Sequence, residues 1–189
     1  MPLLRPGDIF CTVNPMALGR AITAIEAFWD VDGRAEYSHA GLILGPNGTT
    51  YEALWTNKRQ GLQSYAGKKV VIGRHEEMDS TRFADGWGQV AHLEGRWYAG
   101  HRLVLHVIPP LAKLFATGGY AVCSELAAKF LCGARLLDHW AGVNPDHLAD
   151  IIKRWRGWRV VFEGILPSTM DELNQYEGYL RFPETGRAA

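Results

Sequence analysis

Ser38-His39-Ala40-Gly41-Leu42-Ile43-Leu44-Gly45-Pro46-Asn47-Gly48-Thr49-Thr50-Tyr51-Glu52-Ala53 reads as two strands around a turn. Gly45-Pro46-Asn47-Gly48 is a strong turn signal, and the flanking runs are apolar and β-prone. A four-residue loop pairs 43 with 50, 41 with 52 and 39 with 54. Side chains alternate faces along a strand, so His39, Gly41 and Glu52 share one face. His39 and Glu52 become diagonal cross-strand neighbours, about 7–8 Å apart at Cβ, within reach of a hydrogen bond between long side chains. A carboxylate there fixes the imidazole tautomer and stabilises imidazolium. Gly41, without a side chain, leaves that face open to a third group.

That group is offered far downstream. Tyr120-Ala121-Val122-Cys123-Ser124-Glu125-Leu126 follows the glycine turn Gly118-Gly119 and opens an apolar helix pattern. A thiol at a helix N-terminus faces unpaired backbone N–H groups and the positive end of the helix dipole. Both lower its pKa and favour the nucleophilic thiolate. A cysteine and a histidine from distant segments are what cysteine-nucleophile hydrolases and acyltransferases assemble. The parity reading puts the start of the Cys123 helix against the face that carries His39 and Glu52. Taken alone, a free cysteine is most often a small core residue, and the case rests on all three positions together.

Four motifs in this order resemble a known family: Gly7-Asp8-Ile9-Phe10, Ser38-His39-Ala40-Gly41, Tyr51-Glu52-Ala53 and Cys123-Ser124-Glu125-Leu126. The chain resembles the circularly permuted branch of the NlpC-type papain-like superfamily, in which the histidine strand precedes the cysteine helix. More narrowly it is similar to the YiiX/YaeF-like group, with lecithin–retinol acyltransferase a more distant relative. The resemblance spans about residues 7–165 and includes the proline-led helix at Asn144-Pro145-Asp146-His147-Leu148-Ala149. It implies a permuted papain-like fold with Cys123 as nucleophile, His39 as base and Glu52 as the third polar residue. It further implies amide substrates: small peptides, cell-wall (peptidoglycan) fragments or N-acyl compounds. Ala121-Val122 departs from the pattern, which carries a further aromatic there. Tyr120 is left as the candidate side chain at the oxyanion site.

Composition bounds the rest. The 189 residues are 47% hydrophobic, enough for one sizeable core. Lys+Arg and Asp+Glu both total 20, and a zero net charge creates no broad field for polyanions. Three cysteines cannot complete an intrachain disulfide framework, which fits a reducing compartment. The N-terminal residues contain no long apolar h-region, and no window approaches the ~18 apolar residues of a membrane span. The reading is a soluble, cytoplasmic enzyme: a catalytic domain over residues 1–166 and a C-terminal extension over 167–189 running across the surface.

The remaining pattern mixes strands and helices without βαβ alternation, which predicts α+β with an antiparallel sheet packed against helices. Asp8 to Val13 reads as a strand with Ile9, Cys11 and Val13 on one side. Pro15 opens a helix with Leu18, Ile22, Ile25 and Phe28 on one face. Further strands are expected over Gly61–Ala66, Lys69–Arg74 and Trp158–Phe162. Asp79 or Ser80 caps a helix running toward Glu94, and Pro109-Pro110 breaks helix between Leu103 and Phe115. The cysteine helix runs from Val122 to Leu131 and is stopped by Gly133. Asn144 caps a helix with Pro145 at its first position.

Other candidate sites are weaker. His101, His106, His139 and His147 show no metal-ligand spacing, and the proposed chemistry requires no metal or organic cofactor. Lys153-Arg154-Trp155-Arg156-Gly157-Trp158-Arg159 mixes cations with tryptophans, but a helix C-terminus leading into a strand accounts for it without nucleic acid. Cys11 and Cys132 read as packing residues, and Glu125 as a helix-end partner. Hydrolase and acyltransferase both remain open, and the alternative from a different class is a catalytically silent binding or structural module within a larger assembly. Oligomeric state is not legible.

Overall fold

The structure, a computed structural model, describes residues 3–13, 36–54, 56–96 and 123–175. Six antiparallel strands form one sheet in the order β4-β3-β2-β1-β5-β6. They are β1 (Ile9–Thr12), β2 (His39–Ile43), β3 (Thr49–Ala53), β4 (Asn57–Gly61), β5 (Lys69–His75) and β6 (Trp158–Ile165). Among the described residues four α-helices accompany them: α1 (Ser80–Val90), α2 (Cys123–Gly133), α3 (Pro145–Arg154) and α4 (Met170–Asn174). The fold is α+β, as the mixed pattern predicts. The helix expected from Pro15, the Leu103–Phe115 segment and Tyr120 lie outside the described residues.

Strand alternation divides the interior in two. Ile9, Cys11, Ala40, Leu42, Tyr51, Ala53 and Val71 join Leu126, Ala127, Phe130, Leu148 and Ile152 from the helices in the larger cluster. Phe10, Ile43, Val70 and Ile72 point the other way, into a smaller cluster closed by Leu4, Leu62, Tyr65, Leu166 and Leu173. The central strands are therefore buried on both faces, which explains their near-continuous apolar sequence.

Local chemistry sets the helix starts. Asp79 accepts the N–H of Arg82 at 2.8 Å, and Asn144 accepts that of His147 at 2.7 Å with Pro145 in the first turn. Three expectations change. Gly61–Ala66 is not a strand: the strand is Asn57–Gly61, and Leu62–Tyr65 turns into a 3₁₀ helix that buries Leu62 and Tyr65 three residues apart. Gly133 does not stop α2, because the left-handed residue is Arg135 (φ 59) and the Leu136 N–H closes the end on the Leu131 carbonyl. Gly133 instead permits close helix contact, since a Cβ there would lie 2.5 Å from Gln89 Cγ and 3.0 Å from Gly86 Cα. Past Pro167 the chain is more than a surface extension: α4 opens with a capping box at Thr169 and Glu172, and its Leu173 is fully buried.

Gly7-Asp8 is structural, as expected of a turn into the first strand. Asp8 is fully buried and accepts from Arg74 Nε and Nη2, each at 2.7 Å, and from the Arg5 N–H at 2.8 Å. Removing one partner of a buried, bidentate pair strands the other charge. Asp8→Asn is expected to lower unfolding free energy by about 3–5 kcal/mol in urea melts. A loss below about 1 kcal/mol would show that the pair adds little beyond its own desolvation.

Candidate functional site

The hairpin adopts the register read from its turn at 43 and 50, but the expected pairs of 41 with 52 and 39 with 54 do not form. Leu42 pairs with Tyr51 and Ile43 with Thr50, and the Leu44 N–H donates to the Thr49 carbonyl at 2.8 Å. His39 and Glu52 share a face, and His39 Nε2 donates to Glu52 Oε2 at 2.7 Å. Both side chains are almost wholly buried, at 2% and 0% exposure. Gly41 is essential to that contact for a different reason from the one expected. A Cβ on it would stand 2.5 Å from Phe10 Cε1 and 2.8 Å from Glu52 Cγ, so the space serves the carboxylate and the aromatic ring.

Cys123 joins them by an unexpected route. His39 and Glu52 lie on the face of the smaller cluster, where the imidazole centroid is 6.2 Å from that of Phe10 and 5.6 Å from that of Tyr65. Helix α2 packs on the opposite face, its Leu126, Ala127 and Phe130 among Ala40, Leu42 and Tyr51. The expectation that the Cys123 helix packs on the His39/Glu52 face is therefore corrected. The thiol reaches His39 where the sheet opens. Even-numbered N–H groups of β2 point toward β3, yet the paired register ends at Leu42–Tyr51. The next such N–H, that of Ala40, lies on the Cys123 side, and it and the Ser124 N–H are the backbone donors that favour a charged sulfur there. The Cys123 side chain lies close enough to the His39 ring for each to shift the other's ionisation. With Nε2 engaged by Glu52, Nδ1 is the ring nitrogen left to serve the sulfur.

Electrostatics follow from this chain of contacts. Burial opposes a charged Cys123, but the His39 charge and hydrogen bond, with the two backbone donors, hold its pKa below the ordinary thiol value. Burial likewise opposes a charged His39, yet Cys123 and Glu52 push it up to about 10. Burial would raise Glu52, but its hydrogen bond and charge interaction with His39, then its bonds to Thr50 and Tyr65, leave it lowered. All three shifts run toward the charged forms: thiolate, imidazolium and carboxylate. The other thiols go the opposite way: burial raises Cys11 well above its ordinary value and Cys132 to about 11. A groove of about 640 Å³ between α1 and the C-terminal half of α2, with Lys129 and Trp140 in its wall, touches none of the three residues.

Sequence reading missed three further contacts of Glu52. Thr50 Oγ1 donates to Oε1, Tyr65 Oη donates to Oε2 at 2.5 Å, and Gln60 Nε2 lies 3.1 Å from each oxygen. Thr50 is two residues from Glu52 and pairs with Gln60 across β3 and β4, so extending the parity argument by one strand would have found both. Tyr65 carries no such signal, because it arrives from the 3₁₀ turn.

No protein-family model matches the chain, and no curated protein matches it. Among solved structures, it is similar to the metalloprotein YiiX from Escherichia coli O157:H7. The two align over 89% of this chain and 92% of that one, with a TM-score of 0.51 and 16% sequence identity. That likeness is one of fold. The six-stranded antiparallel sheet with its helices is consistent with the YiiX-like architecture, the narrower group the sequence resembles. Among the described residues no helix is long and apolar enough to cross a membrane.

Proposed function

We propose that this chain is a cysteine-dependent hydrolase of amide bonds, with Cys123 as nucleophile, His39 as acid–base and Glu52 as orienter. The observation that supports it is the buried His39 Nε2–Glu52 Oε2 hydrogen bond of 2.7 Å with Cys123 in electrostatic contact with the same imidazole. The thiolate attacks a carbonyl carbon, forming an S–C bond and a tetrahedral oxyanion beside the N-terminus of α2. There the backbone N–H of Cys123 is the proposed oxyanion donor, with Tyr120 a further candidate. Collapse breaks the C–N bond, and His39 Nδ1 gives its proton to the departing amine. Water, losing a proton to Nδ1, then attacks the thioester and releases the acid; another acceptor in its place makes the enzyme an acyltransferase. Short peptides, cell-wall fragments and N-acyl compounds are the proposed substrate classes.

YiiX is described as a metalloprotein. The described residues of this chain do not fit such a role. Among them no group of three His, Cys, Asp or Glu side chains is arranged to hold an ion. Both Glu52 oxygens already accept from O–H and N–H donors. No step of the proposed reaction passes through a metal.

Thiol alkylation tests the central claim. The lowered Cys123 pKa and the raised His39 pKa bracket a window in which thiolate and imidazolium coexist. Iodoacetamide should therefore modify Cys123 at a nearly constant rate well below the ordinary thiol midpoint of about 8.5. The rate should fall only as acid reprotonates sulfur. Cys11 and Cys132 should stay slow in the folded protein. In His39→Ala the midpoint should rise toward or beyond the free-thiol value. An unchanged profile in that variant would refute the ion pair.

A further inference from the structure

Glu52 raises a question that the proposed reaction leaves open: what keeps a fully buried carboxylate charged and in one orientation. An ionised carboxylate offers about four lone-pair sites. Here Oε1 accepts from Thr50, Oε2 accepts from His39 and Tyr65, and Gln60 Nε2 lies 3.1 Å from both oxygens, so four donors meet about four sites. None is left for substrate or water. Tyr65 acts twice, donating its hydroxyl to Glu52 at 2.5 Å and laying its ring 5.6 Å from the imidazole at 32°. Gln60 also ties the cluster to itself, its Nε2 lying 3.1 Å from Tyr65 Oη and 3.2 Å from Ser64 Oγ.

From this geometry we infer that Gln60 and Tyr65 are positioning residues of the Cys123–His39 pair, acting through Glu52. They touch neither sulfur nor the scissile bond; they hold the carboxylate on His39 Nε2. Their removal leaves a carboxylate with fewer donors, easier to protonate and free to rotate off the imidazole. Imidazolium then loses its counter-charge at a higher pH, and the thiolate is reprotonated earlier on acidification. The titratable groups facing this chain are Cys123 from α2, Tyr65 from the 3₁₀ turn, Cys11 from β1 on the sulfur side, and the exposed Lys58 directly across from Glu52 on β4. Burial and the Glu52 charge hold Tyr65 protonated, so it remains a donor throughout.

The inference rests on the thiolate–imidazolium reading, and its test separates the two. Alkylation of Cys123 is followed against pH in wild type, Tyr65→Phe and Gln60→Met, with thermal melts alongside. Tyr65→Phe keeps the ring and loses the donor. Gln60→Met keeps the length on a partly exposed edge strand, and it carries the test if the Tyr65→Phe variant does not fold. In each variant the acid limb should move up by about one pH unit, the size that loss of one hydrogen bond to a charged group implies. The double variant should move it further. Folded variants whose acid limb coincides with wild type would overturn the positioning role and leave only packing. A wild-type profile centred in the free-thiol range would instead sink the ion-pair reading, and this inference with it.

Discussion

Cys123→Ala is expected to abolish acyl-enzyme formation and to reduce turnover by a factor on the order of 10⁶, the scale seen when a hydrolase loses its nucleophile. The proposed covalent step has one electron-pair donor. Cys11 is fully buried with its pKa raised, and Cys132 lies at the far end of α2, next to its last residue. Neither replaces the thiolate at the helix N-terminus. The fold should survive the change. Cys123 loses only its sulfur, and His39, no longer raised by a thiolate, is free to return to its neutral form beside Glu52. Intact mass after incubation with a panel of N-acyl amides, γ-linked dipeptides and activated acyl esters reads the result directly. An acyl adduct or steady turnover persisting in Cys123→Ala would overturn the proposed function. Absence of any adduct in wild type across the panel, with Cys123 indifferent to acyl probes at every pH, would favour a silent binding module of the same fold.

Glu52→Gln is expected to slow turnover by about 10²–10⁴-fold, by analogy with the tautomer effect in catalytic triads. It should also destabilise the protein, which sequence alone does not suggest. A glutamine keeps the shape but exchanges one acceptor oxygen for an NH₂ donor. All of the partners of Glu52 (Thr50, Gln60, Tyr65 and the charged His39) present donors. The new NH₂ meets His39 and the Gln60 amide, which donate there, and can be accepted only if the Thr50 or Tyr65 hydroxyl turns, while the imidazolium loses its hydrogen-bonded counter-charge on that side. The loss should be about 3–5 kcal/mol, the range for breaking a buried ion pair. The two effects separate by measurement: urea melts give the stability change, and kinetics below the melting range give kcat with KM little altered. Equal activity in Glu52→Gln and wild type would remove Glu52 from the proposed mechanism. Equal stability would mean that the donors around it find other partners.

The hairpin was legible because its logic is local. A turn of four residues sets the register, the register sets parity, and parity puts His39 beside Glu52. The helix caps at Asp79 and Asn144 were legible for the same reason, since each involves atoms three residues apart. Misreadings occurred where a residue serves a distant partner. Gly133 looks like a helix stop by propensity, yet its missing side chain admits α1. Residues 61–66 look strand-like by composition, yet Leu62 and Tyr65 bury themselves as a turn because their partners lie under the sheet. Past Pro167, only the capping box was local; the burial of Leu173 depends on a cluster built from both ends of the described chain.

The sequence by itself determined the α+β class, the pairing that aligns His39 with Glu52, and a cysteine at a helix start. Each depends on short-range periodicity or on a few neighbouring backbone groups. Only the tertiary structure decided which side of the sheet the cysteine helix occupies, how its sulfur reaches His39 where β2 and β3 stop pairing, and which donors saturate Glu52. Those outcomes depend on packing between segments tens of residues apart. Alternation along a strand says which side chains share a face, but the face that a helix will cover is set by the apolar area available on each side once all strands are in place.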